Sequence, residues 1–245
     1  VNLIGNFVSL NVRITKAIDR IFPALNGQEN YSYELQNLID KHIKKRQFCS
    51  VLEVGGIDRP LLRKAEGYIY DGLDIEYKPA CKMIYDHFYV QSVEEPIRNK
   101  YDIIISKTVL EHVKNNFLSA HQMYKALNRG GITIHYVPCK YHPYSLILRT
   151  TRPGLQKTLI RILRPWAIGT TGYIAFFDRC SPKEMGKVFD KVGYKNINII
   201  RFYNANDYFR FFFPFYMIVT LWEWVCRIFK MQQLCSGFII EAEKE

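Results

Sequence analysis

Apolar residues recur along this chain in two rhythms, a helical spacing of three to four and short unbroken runs. Over residues 31–45, Leu35, Leu38, Ile39 and Ile43 form a helical stripe, which predicts an amphipathic helix. Its cationic tail, Lys41 through Arg46, suits the negative end of a helix dipole. Residues 7–22 predict an earlier helix with Val8, Val12, Ile18 and Ile21 available to one side, ended by Pro23 and Asn26-Gly27. Residues 51–54 and 68–73 read as short buried strands. The β-branched run 101–106 suits a central parallel strand covered on both faces. Residues 60–65 predict the start of a crossing helix, and 117–127 another, with Gly130-Gly131 as its stop and the turn into a strand over 132–137. Ser181-Pro182-Lys183-Glu184 opens a helix over 182–192 with a capping hydroxyl and a first-turn proline. Gly193 then leads into a strand over 194–202, and 234–242 closes as another. Between them lies the aromatic stretch 208–229. Its longest uncharged run, 211–222, contains Pro214 and is too short to span a bilayer.

The chemistry begins where the first strand breaks, at Gly55-Gly56. Paired glycines after a buried strand permit a tight turn and close approach of backbone to a ligand. Asp74 follows at the end of the second apolar run, at the spacing where nucleotide-binding α/β units place a carboxylate for ribose hydroxyls. An adenosine-containing cofactor is therefore expected. A dinucleotide fingerprint needs a third glycine, and here the chain continues Ile57-Asp58-Arg59-Pro60, with Asp58 placed to repel phosphates. Glu53, inside the motif, points to a ligand carrying positive charge.

Two further motifs fix the family resemblance. Residues 101–113, Tyr-Asp-Ile-Ile-Ile-Ser-Lys-Thr-Val-Leu-Glu-His-Val, resemble the fourth-strand motif of class I S-adenosylmethionine-dependent methyltransferases. Residues 126–138, with Gly130-Gly131, resemble that family's helix, turn and fifth strand. With 51–58 and Asp74 they stand in the family's order over residues 48–138, closest to the type 11-like members. The resemblance implies a doubly wound α/β fold, Rossmann-like, with a mostly parallel seven-stranded sheet and an antiparallel last strand. It implies S-adenosylmethionine as cofactor, held by Glu53, Val54, Gly55, Gly56, Asp74, Ile75, Ser92, Val93, Ser106 and Lys107. Ser92 and Val93 fall against the adenine by position, in place of the family's usual acidic residue; Asp86 is the alternative in another register. The loop 107–112 flanks the reacting methyl. His112 is the candidate general base, with His142 behind it, while Glu111 is expected to cap and orient the following helix and His135 to be a core residue. No carboxylate cluster or His pair at metal spacing calls for a metal.

Charge and cysteines bear on partners. A net charge of +11 implies attraction to anionic lipid, nucleic acid or phosphate-bearing substrates. Six scattered cysteines without Cys-x-x-Cys read as reduced thiols of a cytoplasmic protein. Residues 140–177 contain no acid, and 154–166 predict a helix with Leu155, Leu159, Ile162 and Trp166 opposite Lys157, Arg161 and Arg164. Such a segment serves as an active-site lid or lies on an anionic membrane surface. Gly169, Thr170, Thr171 and Gly172 read as a loop. The organisation expected is N-terminal helices at 1–47, a cofactor core at 48–139, a basic lid at 140–178 and the rest of the sheet at 179–245, with an aromatic insertion at 204–233. That insertion is a candidate dimer surface, membrane contact or substrate wall. The function expected is methyl transfer to an oxygen of a small-molecule, glycan or lipid-linked saccharide acceptor, in the cytoplasm or peripherally on the inner membrane face. An RNA methyltransferase and a non-catalytic scaffold are the alternatives. Nucleic acid is disfavoured because no separate RNA-binding module and no Asn/Asp-Pro-Pro-Tyr motif are present.

Overall fold

The computed structural model describes residues 3–25, 27, 30–57, 59–151, 154, 158 and 173–245. Asp58, the predicted helix over 154–166 (Gly154 and Thr158 apart) and the predicted loop 169–172 lie outside them. The strands are β1 (Cys49–Val54), β2 (Tyr68–Asp74), β3 (Phe88–Val90), β4 (Tyr101–Lys107), β5 (Leu127–Pro138), β6 (Lys195–Phe202) and β7 (Gly237–Glu243). They form one seven-stranded sheet in the order β3-β2-β1-β4-β5-β7-β6. The pairs β1–β2, β1–β4, β2–β3 and β4–β5 are parallel. β7 runs against its neighbours: Gly130 N–H donates to Lys244 O at 2.7 Å, while Cys139 N–H, further along the chain, donates to the earlier Ser236 O at 3.0 Å. The expected mostly parallel sheet with an antiparallel last strand is therefore observed.

β1 and β4 hold the middle of the sheet, and their aliphatic side chains are covered on both faces. Val51, Leu52, Ile103, Ile104 and Ile105 are all fully buried. Burying an aliphatic side chain of this size is worth about 1.5–3 kcal/mol. The strand order reverses between β1 and β4, so the carboxyl ends of these strands diverge into a crevice, where open α/β sheets take their ligands.

The chain divides into two compact units. One comprises Asn30–Pro138, Phe176–Ile200 and Phe238–Glu245. It contains the sheet, apart from the last residues of β6 and the first of β7, with helices α2 (Tyr31–Lys44), α3 (Cys81–Ile84), α4 (Asn116–Ala126) and α6 (Pro182–Val192). α2 forms as its stripe predicts, burying Leu35, Leu38 and Ile39, with the Asn30 side chain capping Ser32 N and Tyr33 N. α6 ends on Gly193, whose φ of +113° is the left-handed stop that glycine permits.

Two of the elements expected in this unit form otherwise. Residues 60–65 form no helix; Leu61 N–H and Leu62 N–H are instead drawn to the side chains of Glu53 and Tyr70, which hold the segment as an irregular connection. α4 stops at Ala126 without a glycine, and Gly130-Gly131 lies inside β5, where Gly130 adopts a φ of +69°.

The other unit comprises Val1–Glu29, Cys139–Ala175 and Arg201–Gly237 and contains α1 (Leu3–Ile21), α5 (Pro143–Thr150) and α7 (Phe213–Ile228). Pro214 sits in the first turn of α7, where its missing N–H costs nothing. α1 and α7 are joined by polar contacts: Phe213 N–H donates to Asn11 Oδ1 at 2.8 Å, Tyr216 Oη donates to Asp19, and Arg210 pairs with Asp19 at 2.6 Å. α1 buries Val8, Asn11 and Thr15, so its packed side is largely polar, and Ile21, expected on that side, is exposed. A buried His142–Glu223 contact of 2.9 Å links α5 to α7. All six cysteines are buried, and none is in a disulfide. Among the described residues no helix is long and apolar enough to cross a membrane.

Candidate functional site

Sheet register alone assembles the site. Val54 pairs with Leu73 on one side and Ser106 on the other, and Asp74 pairs with Val90. Gly55, Asp74, Gln91 and Lys107 therefore emerge in a row at the carboxyl ends of β1, β2, β3 and β4. The glycine turn is locked to its neighbour, with Gly55 N–H donating to Leu73 O at 2.8 Å. Gly55 has a φ of +83°, and a Cβ there would lie 2.2 Å from Val109 Cγ2. A Cβ on Gly56 would lie 2.0 Å from Tyr85 Oη and 2.5 Å from Glu53 Cδ. Only backbone fits at this bend. Two non-glycine residues beside it, Ile57 (φ 35°) and Thr108 (φ 55°), also occupy the sparsely populated left-handed region, a strain that concentrates at functional sites.

The carboxylate of Glu53 faces inward. It accepts hydrogen bonds from Leu61 N at 3.1 Å, from Tyr85 Oη at 3.3 Å and from Tyr70 Oη, and burial pushes its pKa up to about 7. Val54 is buried in β1. Asp74 stands half-buried at the rim with Oδ1 accepting from Glu76 N at 2.9 Å, and desolvation raises its pKa. Ile75 beside it is exposed. Asp74 O accepts from Gln91 N at 2.9 Å, which ties the exit of β3 to this rim. Ser92 and Val93 follow in that exit, Ser92 Oγ accepting from Glu94 N at 3.2 Å and Val93 buried. Asp86 precedes β3, at the opposite end of the strand from Asp74. It accepts from Tyr70 N at 2.8 Å and pairs with Lys64 at 3.3 Å.

Ser106 and Lys107 part company. Ser106 turns into the sheet and its hydroxyl meets His135 Nδ1 at 2.7 Å. His135 is a wholly enclosed core residue whose pKa burial lowers to about 3. Lys107 turns outward and donates to Ser32 Oγ at 3.2 Å, with its ammonium 5.3 Å from the centre of the Tyr31 ring. Burial lowers its pKa against the opposing pull of Glu53. Tyr31 in turn stacks on Tyr136 of β5 at 3.9 Å. Tyr31, Ser32 and Tyr136 were not identified from sequence as part of the site. Asn30 as a helix cap was the available signal, since it fixes where α2 begins and so places Tyr31 and Ser32 at that end.

His112 closes a single helical turn at residues 110–112, its ring one-third exposed. Its Nε2 lies 3.8 Å from Glu111 Oε1. Glu111 does not cap α4; the Asn115 side chain does, accepting from Phe117 N and Leu118 N. The Glu111 carboxyl is enclosed instead, Oε2 has no hydrogen-bond partner among the described residues, and burial pushes its pKa up to about 8. Its backbone carbonyl accepts from Phe176 N and Phe177 N at 2.8 and 2.9 Å, so a strap of chain lies across this loop. His142 is buried in the other unit. Its Nδ1 accepts from Tyr144 N and its Nε2 meets Glu223, leaving neither nitrogen free to act as a base. Among the described residues no group of His, Cys, Asp and Glu side chains could hold a metal ion.

A family model described as a methyltransferase domain matches residues 11–199. Among solved structures, phosphoethanolamine N-methyltransferase 2 of Haemonchus contortus, in complex with S-adenosyl-L-methionine, is similar over 92% of this chain and 55% of its own, with a TM-score of 0.52 and 13% identity. A carbon methyltransferase, CurJ, is similar over 86% of this chain and 53% of its own (TM-score 0.51, 14% identity). An S-adenosylmethionine-dependent methyltransferase of Archaeoglobus fulgidus is similar over 94% and 99% (TM-score 0.51, 14% identity). The chain thus spans about half the length of the first two proteins. No curated protein matches the sequence significantly. The family match over residues 11–199, with the strand order of the sheet, shows that the chain belongs to the class I S-adenosylmethionine-dependent methyltransferases.

Proposed function

We propose that this methyltransferase transfers its methyl group to a hydroxyl oxygen of a small-molecule, glycan or lipid-linked saccharide acceptor. In this reading the Gly55-Gly56 backbone lies against the cofactor, Asp74 accepts from its ribose hydroxyls, and Ile75, Ser92 and Val93 border the adenine. Lys107, steadied by Tyr31 and Ser32, stands by the methionine end. Glu53 and Ser106 act from behind, Glu53 bracing the glycine bend and Ser106 holding β4 to β5. S-adenosylmethionine brings an electrophilic methyl carbon on a sulfonium, so the protein's tasks are alignment, exclusion of water and removal of the acceptor's proton. His112 is the base. The observation that carries the oxygen assignment is its imidazole, one-third exposed on the loop that follows Lys107.

Isothermal titration with S-adenosylhomocysteine tests the cofactor half, and absence of binding at millimolar ligand would remove it. The acceptor half is tested by mass spectrometry of glycans and lipids from cells with and without the gene, followed by assay of methyl transfer to the unmethylated form of the species so identified by His112→Gln. Retained turnover in that variant, or a methyl found on carbon or nitrogen, counts against the assignment.

A further inference from the structure

The second unit carries a surface made of residues that the site described above does not include. α1 has three distinct faces. Val8, Asn11 and Thr15 are buried. Leu3, Phe7, Leu10, Ile14 and Ile21 recur at spacings of three, four and seven along a face that is exposed, with Phe7 51% and Leu10 57% accessible. Asn6, Ser9, Arg13, Lys16 and Arg20 recur at the same three- to four-residue spacing along the next face, also exposed. The large apolar residues of α1 therefore point away from its packed side.

α7 repeats the pattern. It buries Tyr216, Val219, Thr220, Glu223 and Cys226 while Phe215, Ile218, Leu221 and Ile228 stand exposed, Ile218 at 64%. The two apolar faces are continuous through aromatic contacts. Phe7 lies 6.3 Å from Phe212, and Phe212 meets Phe215 edge-on at 4.9 Å. Only two acids occur on these helices, Asp19 and Glu223. Asp19 is held by Arg210 and Tyr216, and Glu223 is buried against His142.

We infer that this face docks on an anionic lipid bilayer, α1 and α7 lying in the interface with their apolar rows in the acyl boundary and Arg13, Lys16 and Arg20 among the headgroups. An apolar row flanked by a cationic one is the pattern of helices that lie in the membrane plane. Charge decides against a second copy of the chain as the occupant. Pairing this face with itself would bring two rows of Arg13, Lys16 and Arg20 together without a free carboxylate between them, whereas an anionic leaflet answers both rows at once.

Flotation of the full chain with vesicles of phosphatidylcholine doped with phosphatidylglycerol tests this without cofactor or acceptor, so its outcome is independent of the methyl-transfer assignment. Wild-type protein is expected to float with the anionic vesicles, less with pure phosphatidylcholine, and progressively less as salt is raised. Arg13→Glu with Lys16→Glu, at exposed positions that leave the packed side of α1 intact, should weaken anionic partitioning by about 25-fold or more, at about fivefold for each cation removed. Phe7→Ser with Phe215→Ser should weaken binding to both vesicles, with far-UV circular dichroism unchanged. Recovery of the wild type with neither vesicle overturns the inference. So does a dimer in light scattering that the two serine replacements dissociate while vesicle binding is retained.

Discussion

Glu111→Gln preserves the shape of an enclosed side chain and deletes its charge. In the wild type the pKa stands at about 8 against an ordinary 4.5, with burial as the cause. An acid whose folded pKa lies above its unfolded one holds its proton more tightly in the native state. Stability is then fully present below the unfolded value and is lost as pH rises through the folded value. The gap corresponds to about 3–5 kcal/mol between acidic and alkaline conditions. Glu53 adds a loss in the same direction up to about 7, and His135, held neutral with its pKa lowered to about 3, makes stability fall as pH drops below the ordinary histidine range. Both contributions are common to the two proteins, so the difference between variant and wild type isolates Glu111. Urea unfolding followed by far-UV circular dichroism, run from about pH 5 to about pH 9, should give nearly equal stabilities at the acid end and a glutamine variant more stable by about 3 kcal/mol or more at the alkaline end. Curves that stay parallel throughout would mean that Glu111 ionises freely in the native state, and the burial argument would be refuted.

Asp74→Ala should weaken S-adenosylhomocysteine binding by about 10- to 150-fold in calorimetry, the value of hydrogen bonds to a charged acceptor, with little change in melting temperature because Asp74 is only half-buried. Gly56→Ala forces a methyl onto Tyr85 and Glu53, and the overpacking should cost about 1–3 kcal/mol, seen by differential scanning fluorimetry as a melting point lower by about 3–10 °C. His142→Ala strands Glu223 in the interior and should destabilise by about 3–5 kcal/mol in urea unfolding, whereas replacing both partners by leucine should cost less.

Where one face of an element decides its packing, the chain's own pattern sufficed. The stripe of α2, the isoleucines of β4 and the Pro182 start and Gly193 stop of α6 form as their residues require, although the Ser181 hydroxyl, expected to cap α6, donates to Glu184 Oε2 at 2.6 Å instead. The row Gly55–Asp74–Lys107 was legible because strand ends are set by local runs and a parallel sheet aligns them. Contacts between distant residues were not legible. Nothing in residues 60–65 shows that Glu53 and Tyr70 will capture the N–H groups of Leu61 and Leu62 and leave no helix there. Ser106 and Lys107 are neighbours in sequence, yet the alternation of a strand sends one to His135 in the core and the other to Ser32 at the rim. α1 misled for the opposite reason: its apolar rhythm is real, but Asn11 and Asp19 make its packing contacts through hydrogen bonds, and the most apolar row faces outward.

The place of β7 has a consequence for biosynthesis. Residues 237–243 are translated after every other strand, yet they fill an interior position between β5 and β6. A nascent chain lacking them has two open strand margins facing a vacant slot, with rows of donors and acceptors able to recruit a strand from another molecule. Closure of that slot joins partners far apart in sequence, a slow class of event. Premature termination just upstream would therefore leave that slot unfilled and favour aggregation, and chaperone demand should stay high until residues 237–243 have emerged.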